Sequence, residues 1–322
     1  MEVIINLILI IVGFILLIKG ADFLVVGASS MAKRFNVSDL AIGLTVVAMG
    51  TSAPELVVNI ISGTSGYTEV VFGNIIGSNI FNMFLILGVA AVIYPLAVQK
   101  NTLWEEVPYS LIVTVVFYFL VNDALFFGGE ESTLGLWDSI ILIILFIGFL
   151  LQVFLNMSRT GETDTDEIEI FSTLKTVLMI FGGIVGLAFG GKLIVDNAVE
   201  LAHTFHVSEK LIGLTILAAG TSLPELATTA VAAYQKKSDL AVGNIVGSNI
   251  FNILLVLGMT GLTSAPLNFP TVLNTDLYLV MLGTFMLFLF MFTFDKYKLD
   301  RAEGALYLIG FAGYMFYLFT RL

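Results

Sequence analysis

Two short strings hold the side chains of this sequence most able to do chemistry. Residues 50–56 read GTSAPEL and residues 220–226 read GTSLPEL. Each string sets a glutamate, Glu55 or Glu225, inside a long apolar run. A bare carboxylate in such surroundings is costly. It must be paired with a cation, protonated, or open to a water-filled cavity. No Lys or Arg lies in 40–62, 70–96, 211–233 or 241–263 to act as partner.

The neighbours are oxygen donors. Pro54 has no N–H, so the carbonyl of Gly50 loses its helical partner, and Pro224 does the same to Gly220. Thr51 and Ser52 stand four and three residues before Glu55, on its helix face; Thr221 and Ser222 stand likewise to Glu225. A second pair of strings, GNIIGSNIFN at 73–82 and GNIVGSNIFN at 243–252, sets Ser78 with Asn82, and Ser248 with Asn252, one helical turn apart. Carboxylate, hydroxyl, amide and carbonyl oxygens without nitrogen or sulfur make a hard-cation set. It suits Ca²⁺ and Na⁺ rather than Zn²⁺ or Cu⁺. Two carboxylates are neutralised by one Ca²⁺, while three Na⁺ leave one positive charge. The plainer reading beside this one is a pair of protonated glutamates that hold helices together.

The elements that carry these strings are membrane spans. The chain has 322 residues, 58% hydrophobic and 12% charged, with a mean hydropathy of +0.99. Soluble domains carry about twice that share of charge. A soluble enzyme, a nucleic-acid binder and a disordered chain are excluded. The absence of cysteine removes disulfides and thiolate chemistry, and two histidines, His203 and His206, make a poor metal site. The expected fold is an all-α membrane protein. Ten spans are predicted at 3–27, 40–62, 70–96, 105–121, 136–156, 171–195, 210–233, 241–263, 274–294 and 302–320. The first is read as a span rather than a removed signal peptide.

The two pairs of strings recur at one offset, 170 residues. Such dense identity means duplication of a five-span unit. Five is odd, so the second copy sits inverted. The predicted division is 1–160 for the first repeat, 161–170 for an acidic linker and 171–322 for the second repeat. Inverted repeats are a transporter device, with the substrate held at the midplane. Basic residues give the same alternation. Lys33, Arg34, Lys100, Arg159, Lys175, Lys236, Lys237, Lys296, Lys298 and Arg301 fall in loops after odd-numbered spans, leaving Lys210 and Arg321 opposite. Those odd loops are expected in the cytoplasm and both termini outside. The net charge of -11 reflects acidic loops, among them Asp123, Glu130, Glu131 and Asp138 between spans 4 and 5. Lys19 with Asp22, and Lys192 with Asp196, are read as gating groups or as local pairs. Gly182, Gly186 and Gly190 form a stripe for sliding or for static packing.

The paired motifs resemble the alpha-repeats of the cation/Ca²⁺ exchanger superfamily, above all prokaryotic sodium/calcium exchangers. The resemblance covers essentially the whole chain. It implies Na⁺-driven Ca²⁺ antiport by alternating access, with spans 1 and 6 sliding against the other eight. By motif position it implies ligands at Thr51, Ser52, Glu55, Ser78, Asn82, Thr221, Ser222, Glu225, Ser248 and Asn252, with the carbonyls of Ala48 and Ala218. Glu55 and Glu225 would take Ca²⁺. Thr221, Ser222 and Ser78 would form an outer Na⁺ site, and Thr51, Ser52 and Ser248 an inner one. Asn252 stands where some members, the potassium-dependent ones included, carry Asp. The motif of the proton-coupled branch, GNAVE, is absent. Expected partners are Ca²⁺, Na⁺ and the bilayer of a cell membrane, with no cofactor, no nucleic acid, no obligate protein partner and no catalytic residue. The rival readings are H⁺ or K⁺ coupling, a cation channel and, most remotely, an intramembrane enzyme using the two glutamates as acid and base.

Overall fold

The computed structural model describes residues 2–98, 104–126, 128, 131–156, 170–205, 218–293 and 296–321. Most of the acidic linker, Lys100, Glu130, Arg159, His206 and Lys210 lie outside the described residues. The helices are α1 (Glu2–Phe35), α2 (Asp39–Thr51), α3 (Ala53–Thr64), α4 (Thr68–Ile93), α5 (Glu106–Leu120), α6 (Leu136–Asn156), α7 (Thr173–Thr204), α8 (Leu223–Tyr234), α9 (Ser238–Ser264), α10 (Asn274–Phe290) and α11 (Arg301–Arg321). Seven of them are long and apolar enough to cross a membrane, and α2 with α3, bent by 46°, make an eighth such unit. The apolar helix α5 is shorter.

Several expected boundaries move. Helix α1 runs on to Phe35 and α7 runs from Thr173 to Thr204. Charged residues mark where a span leaves the apolar zone, but nothing there breaks the helix, and the packed pair extends past it. Lys19 and Asp22 therefore sit mid-helix rather than near its end. Helix α4 stops at Ile93, short of 96, because Pro95 cannot continue it and Leu96–Ala97 turns into strand β1. Asp138 is not in a loop. It lies in the first turn of α6 and accepts the Gly135 N–H at 2.7 Å.

Helices α1 and α7 pack along most of their length, antiparallel. A Cβ on Gly13 would meet the Gly190 carbonyl oxygen at 2.9 Å, and one on Gly20 would meet that of Gly183 at 2.9 Å. Only glycine permits this approach, and backbone contact replaces the hydrophobic drive that lipid cannot supply. The stripe on α7 is Gly183, Gly186 and Gly190. Gly182, expected in it, faces open space, because positions 3.6 residues apart place 183 and not 182 in line. The outer face of α1 shows Ile4, Ile8, Ile11, Ile15 and Ile18, the inverse of a soluble helix. Ser30 binds Thr176 at 3.3 Å and the Phe171 N–H at 3.0 Å, and Arg34 reaches the Phe171 carbonyl. The two helices are thus tied at one end as well as packed.

Helices α4 and α9 are buried through most of their length and form the centre. Both pass from α to π geometry after GSNIF, at Phe81–Ile86 and Asn252–Leu257. Two small antiparallel clips close the ends. Strand β1 pairs with β4 (Lys298–Leu299), with Leu96 opposite Leu299; β2 (Thr133–Leu134) pairs with β3 (Leu267–Asn268), with Leu134 opposite Leu267. Hydrogen-bonded strands share a face. The loop after α4 therefore lies with the loop after α10, and the loop after α5 with the loop after α9.

Candidate functional site

The turn is built the same way in both GTSxPEL copies. Helix α2 ends at Thr51, Ser52 adopts φ -84° and ψ 5°, and α3 restarts with Pro54 in its first turn. Ser222 repeats this at φ -88° and ψ 4° before α8, after a single turn at Ala218–Thr221. Proline is harmless in a first turn, where its missing N–H has no helical partner to lose. The break places Glu55 and Glu225 in the first turns of α3 and α8, where the helix dipole favours negative charge. Ala48 already accepts the Ser52 N–H at 2.9 Å; the matching Ser222 N–H goes to Ala219 at 3.2 Å, one residue later than Ala218.

The site is assembled across the two halves. Thr51 lies 3.2 Å from the Asn244 Oδ1 and 3.5 Å from the Ser248 hydroxyl. Its counterpart Thr221 donates to the Asn74 Oδ1, also at 3.2 Å. Asn82 donates to the Asn249 Oδ1 at 3.0 Å, and Asn252 to the Asn79 Oδ1 at 3.0 Å. These bonds fix the amide nitrogens, so the Oδ1 atoms of Asn82 and Asn252 are turned away and left unpartnered. The serines break the symmetry. Ser52 donates to the Glu225 Oε1 at 3.0 Å, whereas Ser222 donates to Ser78 at 3.1 Å.

The two carboxylates are 0% and 1% exposed. Neither makes an ion pair among the described residues. Both oxygens of Glu55, the Oε2 of Glu225 and the Oδ1 atoms of Asn82 and Asn252 have no hydrogen-bond partner. All five are acceptors. Water or a donor side chain, such as the unpartnered Asn249 Nδ2, would satisfy one or two, but five acceptors, three of them on two buried carboxylates, fit a cation.

Nine of the ten predicted side-chain ligands are buried and Thr221 is half-buried, and bonds across the two halves join Thr51 to Ser248, Ser52 to Glu225 and Ser222 to Ser78. Four asparagines that sequence reasoning passed over, Asn74, Asn79, Asn244 and Asn249, orient them. The signal was present: Asn74, Ser78 and Asn82 recur every fourth residue, and each of these asparagines is repeated at the 170-residue offset. Away from the site, Lys192 pairs locally with Asp196 at 2.8 Å, both exposed. Asp22 instead accepts from the Gln235 amide at 2.7 Å, which joins α1 to the end of α8.

The family described as sodium/calcium exchanger protein matches residues 5–155 and 175–320. The chain belongs to the sodium/calcium exchanger family. It is 36% identical over 268 residues to the inner membrane protein YrbG of Escherichia coli, covering 81% of this chain and 80% of that one. The sodium/calcium exchanger MaX1 of Methanosarcina acetivorans is 29% identical over 331 residues, covering 91% and 92%. A solved structure of the sodium-calcium exchanger NCX_Mj, soaked with 10 mM Na⁺ and zero Ca²⁺, matches with a TM-score of 0.82 at 31% identity, over 95% of this chain and 96% of that one. This family member is a multi-pass membrane protein with a transporter fold.

Proposed function

We propose that the protein is a secondary antiporter that exchanges Na⁺ for Ca²⁺ by alternating access, and that the exchange is electrogenic. The observation that carries this reading is the set of five buried, unpartnered acceptor oxygens around Glu55 and Glu225. Ca²⁺ sits between the two carboxylates, helped by the Asn82 and Asn252 amide oxygens. Thr221, Ser222 and Ser78 hold Na⁺ on the outer side, and Thr51, Ser52 and Ser248 hold it on the inner side. The carbonyls of Ala48 and Ala218 complete the set. One Ca²⁺ balances the two carboxylates and three Na⁺ do not, so exchange at that ratio moves charge.

The moving part is the α1–α7 pair. Its glycine contacts let backbones slide without side chains to lift over. Helix α7 touches both motifs, since Ile184 lies against Gly50 and Val195 against Gly220. A shift of α7 along its axis carries these side chains past the two helix breaks. The antiparallel crossing of α1 and α7 and the two strand clips support five-span repeats, 1–160 and 171–322, of opposite orientation. With the basic loops in the cytoplasm, the protein lies in the cell membrane with both termini outside.

Purified protein in proteoliposomes loaded with Na⁺ should take up ⁴⁵Ca²⁺ when diluted into Na⁺-free buffer, and a potassium diffusion potential should alter the rate. Uptake no greater than that of Glu55→Ala protein of verified fold would sink the reading. Uptake driven by a proton or K⁺ gradient alone would replace the coupling ion.

A further inference from the structure

The two halves of the site differ at positions beside the proposed ligands, and most fully where Asn244 meets Thr229. In the second half, Asn244 accepts from Thr51 through Oδ1 and donates through Nδ2 to Thr229 of α8 at 2.9 Å. This chain of direct bonds runs from Thr51 through Asn244 to Thr229. In the first half the matching residues are Asn74 and Asn59, each 170 positions earlier. Asn74 accepts from Thr221 in the same way, but its Nδ2 has no partner. Asn59 turns its Nδ2 back to the Glu55 carbonyl at 2.8 Å, and its Oδ1 has no partner either. Asn59 is 0% exposed. Thr229 of α8 and Asn244 of α9 meet in the second half, and Asn59 of α3 and Asn74 of α4 hold the matching places in the first.

An unpartnered donor and an unpartnered acceptor at such matched places do not make a cation site, because the amide hydrogens repel a cation. They are the signature of one water molecule. We propose that Asn59 and Asn74 seat a single buried water that bridges Asn59 Oδ1 and Asn74 Nδ2. It links the Glu55 turn to Thr221, and makes Asn59 a positioning residue for the outer Na⁺ ligand. The inner side has the direct bond of Thr229 in its place. A water bridge holds Asn74, and through it Thr221, less rigidly than a direct bond, since the bridging molecule can leave or reorient.

The test transposes the two solutions. Asn59→Thr can donate to the Glu55 carbonyl and accept from Asn74, as Thr229 accepts from Asn244. The Na⁺ readout rests on the antiport reading. In the proteoliposome assay, Asn59→Thr should lower the Na⁺ concentration for half-maximal exchange by about threefold and leave that for Ca²⁺ within about twofold. Thr229→Asn should raise the Na⁺ value by a similar factor. Na⁺ and Ca²⁺ values that move together, or neither moving, would overturn the positioning role. Wild-type protein without Na⁺-driven flux would instead overturn the antiport reading and leave the water itself to be judged structurally. An experimental map at about 2 Å, where ordered waters are visible, should show one water within hydrogen-bond reach of both amides. A direct Asn59–Asn74 bond or an empty gap would refute the seat, even if both variants fail to fold.

Discussion

Ser52 of the first half hydrogen-bonds Glu225 of the second half at 3.0 Å, while its counterpart Ser222 turns away from Glu55 to Ser78. The two copies of one motif thus serve different neighbours. Hydrogen bonds to a charged group contribute about 1.5–3 kcal/mol. Ser52→Ala should therefore raise the half-saturating Ca²⁺ concentration about tenfold or more. Ser222→Ala should act mainly on Na⁺. Equal effects of both variants on Ca²⁺ uptake would show that the asymmetry has no bearing on binding.

A second prediction concerns the carboxylates as binding groups rather than as struts. Glu55→Gln and Glu225→Gln keep size and hydrogen-bonding capacity and remove one buried negative charge each. Neither should lower the unfolding temperature measured in EGTA, because each removes a buried charge that has no ion-pair partner among the described residues. Saturating Ca²⁺ should raise the melting point of the wild type by a few degrees through mass action, about 2.7 kcal/mol at a hundredfold excess over Kd. The variants should lose most of that rise, together with transport. Variants that melt early without Ca²⁺ would mark the glutamates as structural.

The candidate ligands were legible because they are unusual residue types for a membrane interior, and because duplication prints each twice. Glu55, Thr51 and Ser78 stand out against Leu, Ile and Val without any coordinates. The orienting asparagines were harder. Asn74 and Asn79 sit in the same repeated string as Ser78 and Asn82, but only the cross-half bonds, Asn82 to Asn249 and Asn252 to Asn79, show which amide oxygens are occupied and which are left without a partner. Composition also misjudged where helices end, since Lys33 and Arg34 mark a membrane edge while α1 runs through to Phe35. The glycine stripe was displaced by one residue for a similar reason. Sequence spacing identifies small residues, but the rotation of α7 about its axis is set by what α1 presents to it.

That stripe gives a third prediction. Gly20→Val must push a side chain into the Leu187 N–H and the Gly183 carbonyl, both backbone atoms within 2.9 Å of a Cβ at that place. Overpacking of this kind costs about 1–3 kcal/mol. The variant should run as a broadened or aggregated peak in detergent, or melt several degrees early. Gly182→Val, one residue from Gly183 but facing open space, should stay monodisperse. The reverse order of severity would contradict the packing of α1 on α7.

The last prediction addresses motion. Asp22 on α1 accepts a hydrogen bond from Gln235 at the end of α8, so it joins the proposed sliding pair to the rest of the molecule. If α1 moves along its axis, this bond must break in every cycle. The chain has no cysteine, so paired cysteines can be placed without removing native ones. Protein carrying both Asp22→Cys and Gln235→Cys should crosslink with a short bifunctional thiol reagent. Crosslinking should stop Na⁺-driven Ca²⁺ uptake while leaving ⁴⁵Ca²⁺ binding measurable in detergent, and cleavage of a reducible linker should restore uptake. Each single variant treated alike should continue to transport. A crosslinked protein that exchanges at the untreated rate would mean that α1 stays fixed against α8 during transport, and the moving part would have to be sought elsewhere.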